Sequence, residues 1–322
     1  MKLSPVELKV LGTVQLRADA TVPQLCKLTK LRPHQVRYAL NKLIGMGLLR
    51  RRVVIDIYQL GYAIYGYWFS LSSAAYRSRK AIVKYLSDHP QVGYLGEFGG
   101  ELEYKVDILG KTPSEAAQVL SSVCERFGEV FGNRTLIVTV SLSDFPLKYL
   151  APEQLHSHVV TLGAVGQKSV DALDHKILKA LSTIEDSALS QIARKVGIAM
   201  SSLNYRVQRL EKEKVIVGHQ YWPEVEVMSS LGMSAFVHRI RLRRSDAKSL
   251  ARILDFAKTD PSVYSTTIGV GEWDVEMCAS VSSQRAEEEF RTRLENGLDG
   301  VVDSVVSAPV VRHYKVSNYP FR

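Results

Sequence analysis

The chain has 322 residues, 46% of them hydrophobic and 23% charged, and a formal net charge of +9. Such a balance makes a soluble chain of two or more domains with buried cores, with no run of about 18 apolar residues to cross a membrane and a glutamate interrupting MKLSPVELKV before a signal-peptide core forms, so the cytoplasm is the expected location. Cys26, Cys124 and Cys278 stand far apart, which excludes a disulfide framework and metal-ligand spacing, while the positive charge suits an acidic partner, an anionic membrane or plain solubility.

In chain order, residues 6–49 carry the pattern of three short helices. In the third, VRYALNKLIGM (36–46), Val36, Leu40 and Leu43 form an apolar stripe, with Tyr38, Asn41 and Lys42 on the other face. Pro33 fits a first helical turn, where no N–H is needed. Between Ala20 and Ile55 stand Lys27, Lys30, Arg32, Arg37, Lys42, Arg50, Arg51 and Arg52, with no Asp or Glu. LLRRRVVIDIY follows, a β-branched run suited to a hairpin wing. Alternation then predicts strand 62–71, helix 77–88, strands 92–98 and 101–109, helix 114–127 and strand 134–143. This βαββαβ order is the ferredoxin-like split arrangement, which leaves one sheet face bare. Within it, ELEYKVDIL sets Glu103, Lys105 and Asp107 against Leu102, Tyr104, Val106 and Ile108, so that polar face either pairs charges across a seam or meets solvent.

A linker at 151–170 holds His156 and His158, two histidines without further ligands and read as solvated. Beyond it the pattern returns. An offset of 167 aligns residues 6–49 with 173–216 without a gap, and an offset of 171 carries the match from Leu60-Gly61 onto Leu231-Gly232 and from Gly100-Glu101 onto Gly271-Glu272. Leu173, Ile177, Leu178 and Leu181 repeat with helical spacing, as do Leu189, Ile192, Ala193 and Val196, and Gly197 supplies the turn into a third helix with Leu203, Val207 and Leu210 inward. The later elements are expected at 233–242, 246–258, 263–269, 272–281, 283–296 and 302–315. The fold class is therefore α+β. Two copies of a winged helix-turn-helix (1–58 and 171–225), each followed by a ferredoxin-like domain (59–150 and 226–322), are expected to pair as an intramolecular pseudo-dimer.

LDHKILKAL (173–181), LSQIARKVGI (189–198), RVQRLEKEKVI (206–216) and GEWD (271–274), in this order, resemble the leucine-responsive and asparagine-synthesis (Lrp/AsnC) regulators. The likeness runs once through each half. It implies a DNA-binding transcriptional regulator whose ferredoxin-like domain senses amino acids, normally a homodimer of one-unit chains and here two units fused, with further assembly of chains through remaining sheet edges open. A serine that the family usually has at the start of the third helix is replaced by Arg32 and Ala199. The same fold also serves siroheme decarboxylases, whose substrate needs basic side chains in the sheet pocket; residues 263–281 contain no Arg, Lys or His, and no enzyme is expected.

The resemblance sets the third helices in the major groove of double-stranded DNA, with His34, Gln35, Arg37, Tyr38, Asn41 and Lys42 from the first unit and Ser201, Ser202, Tyr205, Arg206, Gln208 and Arg209 from the second. Lys42 and Arg209 are the expected guanine readers, Asn41 and Gln208 the adenine readers, and Arg50, Arg51 and Arg52 a phosphate clamp. The alternative is that these are ordinary solvated helix faces. Thr266, Thr267, Gly269, Gly271, Glu272, Trp273 and Asp274 are the expected effector site, a carboxylate meeting the ammonium of an amino acid and glycine N–H groups its carboxylate; the competing reading is a plain hairpin turn with Trp273 in the core. No cofactor or metal is expected, since no phosphate-binding glycine loop, nucleophile motif or ligand cluster stands out.

Overall fold

The computed structural model describes residues 3–149, 159–163, 166–183, 189–221, 225–317, 319 and 321; His156 and His158 lie outside them. The first apolar stripes make α1 (Pro5–Val14), α2 (Val22–Thr29) and α3 (Pro33–Gly45), whose Val10, Leu11, Leu25, Val36, Ala39 and Leu43 share one core. Strand β1 (Arg51–Ile55) follows, then β2 (Ala63–Leu71), α4 (Arg79–Asp88), β3 (Val92–Phe98), β4 (Tyr104–Gly110), α5 (Pro113–Phe127) and β5 (Phe131–Asp144). After the short β6 (Val160–Leu162) the order returns: α6 (Ala172–Thr183), α7 (Leu189–Val196), α8 (Met200–Lys212), β7 (Ile216–Tyr221), a turn of helix α9 (Val225–Ser230), β8 (Ser234–Leu242), α10 (Ala247–Thr259), β9 (Val263–Gly271), β10 (Val275–Val281), α11 (Gln284–Gly297) and β11 (Val302–Val316). The expected strands and helices lie within a few residues of these bounds.

Each three-helix unit starts on the same device. Ser4 and Glu7 cap α1 reciprocally, Glu7 N donating to Ser4 Oγ at 3.3 Å and Ser4 N to Glu7 Oε2 at 2.9 Å. Asp171 and Asp174 do the same for α6, at 2.8 and 3.0 Å.

The two βαββαβ halves do not merely stack. Among the described residues the large sheet runs β2-β4-β3-β11-β8-β10-β9-β5-β6, and β2 also pairs with β5, so the strands from β2 round to β5 close into an eight-stranded antiparallel barrel with β6 hanging outside. The edges that each half leaves unpaired meet the other half, β3 on β11 and β5 on β9. Closure removes every barrel edge, so a second chain has no barrel strand to extend, which closes that one of the routes left open for further assembly. Helices α4 and α5 cover one side of the barrel and α10 and α11 the other. Trp68, Phe98, Ile137, Val237, Trp273 and Ala308 fill the interior from the bare faces.

One expectation is corrected. Among the described residues neither unit forms a hairpin wing of its own: β1 pairs antiparallel with β7, Arg52 opposite Gln220 and Val53 opposite His219, making one ribbon from both units. Val53 and Ile55 of the first unit enter the core of α6–α8, while Tyr221 of the second packs on the core of α1–α3. A β-branched run pairs equally well with a distant partner, and the partner that buries both its faces wins. Within the linker, β6 pairs with β5 over Leu142–Asp144. The ribbon and β6 lie at the barrel end where β5 and β11 finish; the β3–β4 and β9–β10 turns mark the opposite end.

Candidate functional site

The third helices carry a tyrosine at the same outward position: Tyr38 on α3 and Tyr205 on α8 are 66% and 69% exposed, so both rings stand largely in solvent. Around Tyr38, His34, Arg37 and Asn41 are exposed, as are Lys27 and Lys30 on α2 and the turn after it; around Tyr205, Ser201 and Gln208 are exposed and Ser202 half-buried. Neither helix has a side-chain cap at Arg32 or Ala199, and Gln35 turns back to accept from Arg32 N at 3.0 Å instead of facing outward.

The expected guanine readers are held elsewhere. Lys42 Nζ lies 2.7 Å from Glu7 Oε1, and at the equivalent place Arg209 Nη2 grips Asp174. Arg206 bridges Asp171 and Asp174, at 2.8 Å each, from a half-buried position. These contacts tie the third helix of each unit to the N-terminal turn of its first helix. The Lys42 bond holds the Glu7 carboxyl below its ordinary value, and the Arg206 bond holds Asp171 at about 2. A helical wheel assigns the long Lys and Arg side chains outward, but their stems fold back to a carboxylate already anchored by capping. The signal was present in the repeat, since Glu7 with Lys42 and Asp174 with Arg209 keep opposite charges at the same offset.

Of the clamp candidates, Arg50 is exposed just before β1, whereas Arg51 and Arg52 lie in the ribbon, half-buried. Arg52 turns toward the barrel, its Nη1 3.5 Å from Val316 O, and lines the interior cavity.

The expected effector residues are largely consumed by the barrel seam. Gly269 and Gly271 lie in the β5–β9 ladder opposite Thr139 and Ile137, and a Cβ on Gly271 would come within 2.4 Å of Leu136 O. Their role is close strand approach, not display of N–H groups. Glu272 is paired with Arg241, whose Nε also donates to Glu272 O at 2.6 Å. Asp274 Oδ2 accepts from Leu242 N at 2.8 Å. Trp273 is buried inside the barrel, Thr266 faces away from the interior with its hydroxyl unpartnered among the described residues, and Thr267 faces the cavity.

The chemistry inside the barrel gathers on Lys105 and Asp107 of the polar face of ELEYKVDIL and on Glu276, which the sequence pattern did not single out. Lys105 Nζ sits 2.6 Å from Glu276 Oε2 and 3.3 Å from Asp107 Oδ1; Glu276 Oε1 accepts from Trp68 Nε1 at 2.7 Å and Trp273 Nε1 at 3.2 Å. The polar face of ELEYKVDIL therefore pairs charges across the seam. Burial alone would lower the Lys105 ammonium, and Asp107 and Glu276 outweigh it, holding the group charged. Lys105 and Glu276 occupy equivalent positions at the offset of 171. Next to them a cavity of about 170 Å³ runs to the ribbon, lined by Tyr94, Asp107, Asp144, Gln220, Thr267 and Cys278 among others. Burial raises Asp144 to about 6 and Cys278 to about 12. No group of metal-binding residues occurs among the described residues, and no helix is long and apolar enough to cross a membrane.

Residues 170–217, spanning α6–α8 and the start of β7, match the family model described as winged helix-turn-helix DNA-binding. The Bkd operon transcriptional regulator of Pseudomonas aeruginosa is 32% identical over 134 residues, which cover 41% of this chain and 85% of that one. The DNA-binding transcriptional activator DecR of Escherichia coli K12 is 26% identical over 134 residues, covering 42% of this chain and 87% of DecR. Among solved structures, a siroheme decarboxylase, NirDL, superposes with a TM-score of 0.61 over 96% of this chain and 92% of its own, at 10% identity, a likeness of fold alone. The regulators that resemble about two fifths of this chain at up to 32% identity, with the winged helix-turn-helix and the ferredoxin-like halves, place the chain in one family: it belongs to the Lrp/AsnC transcriptional regulators.

Proposed function

We propose that the chain binds double-stranded DNA through both three-helix units and reads an asymmetric site, with α3 and α8 as non-equivalent recognition helices. The observation that carries this reading is the outward Tyr38 and Tyr205 at one repeat position, amid exposed polar and cationic neighbours that differ between the units. His34, Arg37 and Asn41 face one half-site; Ser201 and Gln208 face the other. Asn41 and Gln208 suit adenine, and Arg37 is the outward cation that replaces Lys42. Ligand response belongs to the barrel, because the ribbon joining the two units closes one end of its cavity. A ligand there acts only by favouring one setting of the ribbon over another.

The barrel cavity, at about 170 Å³, has no room for a tetrapyrrole, which counts against such a substrate there. The test is duplex binding against salt. The reading expects log affinity to fall steeply and linearly with log salt, and Arg37→Ala with Asn41→Ala to cost about 2–4 kcal/mol of specific binding. Salt-independent or undetectable binding to genomic duplex DNA would overturn it.

A further inference from the structure

Arg239 stands on the interior face of β8 with only 8% of its surface exposed, yet its side chain makes no hydrogen bond or ion pair among the described residues. Its Cζ lies 5.2 Å from the Trp68 ring and 5.1 Å from the Trp273 ring, and those indoles meet edge to face at 5.8 Å. The carboxylate opposite it in the ladder, Glu276, has both oxygens taken by the two indole N–H groups and Lys105. Arg241, two residues nearer the open end, is already paired with Glu272. A guanidinium cannot shed its proton near neutral pH, and of its nitrogens Nε is fully buried without an acceptor, which is costly, while the exposure that remains lies at the terminal amino groups. Cation–π contact covers the faces of the group and leaves its N–H edge unsatisfied.

We propose that Arg239 anchors a binding site for a small monocarboxylate, which enters at the barrel end bearing the β3–β4 and β9–β10 turns. A planar carboxylate matches the guanidinium fork with two parallel hydrogen bonds. Charge argues against a dianion such as phosphate, because Glu276 lies beside the site and Glu101 and Glu272 stand near its rim. The site occurs once per chain, since the equivalent position in the first half is Trp68. It deepens the reading of the barrel as the ligand-responsive part and lies at the end away from the ribbon, so occupancy reaches the DNA-facing units through the Glu276–Lys105 contact and the cavity beyond it.

The test titrates the full chain with acetate, benzoate and inorganic phosphate at constant ionic strength, following calorimetry and tryptophan fluorescence; two of the three tryptophans flank Arg239. The expected result is saturable binding of a carboxylate, one per chain, with Arg239→Lys weakening it about tenfold or more through loss of the fork. Arg239→Met is expected to abolish it in a chain that still melts cooperatively, and if that variant does not fold, Arg239→Lys decides. No saturable response to either carboxylate, two ligands per chain, tighter binding of phosphate, or unchanged affinity in Arg239→Lys would overturn the proposal. Binding is read without DNA, so its failure leaves the DNA-binding reading standing, and failure of DNA binding leaves this site standing.

Discussion

Lys30 and Lys214 are the described residues other than glycine with positive φ, at 56° and 64°, and in the other unit their positions hold Gly197 and Gly47 at 78° and 71°. Each unit thus needs two left-handed turns, and each has one glycine and one lysine to make them. Left-handed backbone costs a side-chain-bearing residue about 1–2 kcal/mol, and glycine gives back about 0.5–1 kcal/mol in chain entropy, so Lys30→Gly and Lys214→Gly should each raise stability by roughly 0.5–1 kcal/mol in denaturant melts. Asp174 has the opposite sensitivity. Fully buried and shared among Asp171 N, Arg206 and Arg209, it should cost about 3 kcal/mol when changed to alanine, because two guanidinia and a helix start lose their acceptor. An Asp174→Ala chain as stable as the parent would show that Arg209 is not held there. The outward tyrosines could be read from spacing alone; the inward turn of Lys42 and Arg209 could not, because periodicity fixes where Cβ points and not where a long flexible side chain ends.

At the scale of elements, the ribbon explains why the units cannot be treated as separate modules. Ile55 is fully buried in the core of the second unit though it belongs to the first, so Ile55→Ala should destabilise by about 2–4 kcal/mol and speed hydrogen exchange in α6–α8 more than in α1–α3. Where the barrel meets the ribbon, Asp144 gives a pH signature. Its folded value of about 6 lies above the unfolded carboxylate, so the folded state holds the proton more tightly and the stabilisation present at low pH is lost as pH rises from about 4 to 6, on the order of 3 kcal/mol. Asp144→Asn should flatten that part of the stability profile and leave the region above pH 6 parallel to the parent; an unchanged slope would contradict the assignment. The βαββαβ boundaries were legible because alternation and helical period are local. Barrel closure and the β1–β7 pairing were not, since apolar patterning says which face is buried but not which edge will meet it.

At the scale of the molecule, the interior records why two halves on one chain differ from a homodimer. A two-fold axis sets equivalent residues against each other, and here those residues are Lys105 and Glu276, a pair that identical subunits could not supply. Reversing either charge alone, Lys105→Glu or Glu276→Lys, should cost about 3–5 kcal/mol, while the double swap should recover about 1–3 kcal/mol relative to the sum of the two; additive losses would show that the contact does not couple the halves. The same divergence extends to the outer faces of α3 and α8, the proposed recognition helices. The decisive measurement is footprinting of the full chain on its genomic sites, repeated with Arg37→Ala and with Gln208→Ala. The account predicts two dissimilar half-sites about one helical turn, or a multiple of it, apart, with the α3 variant losing protection at one and the α8 variant at the other. A palindromic site weakened equally in both halves by either variant, or protection that neither variant changes, would contradict it.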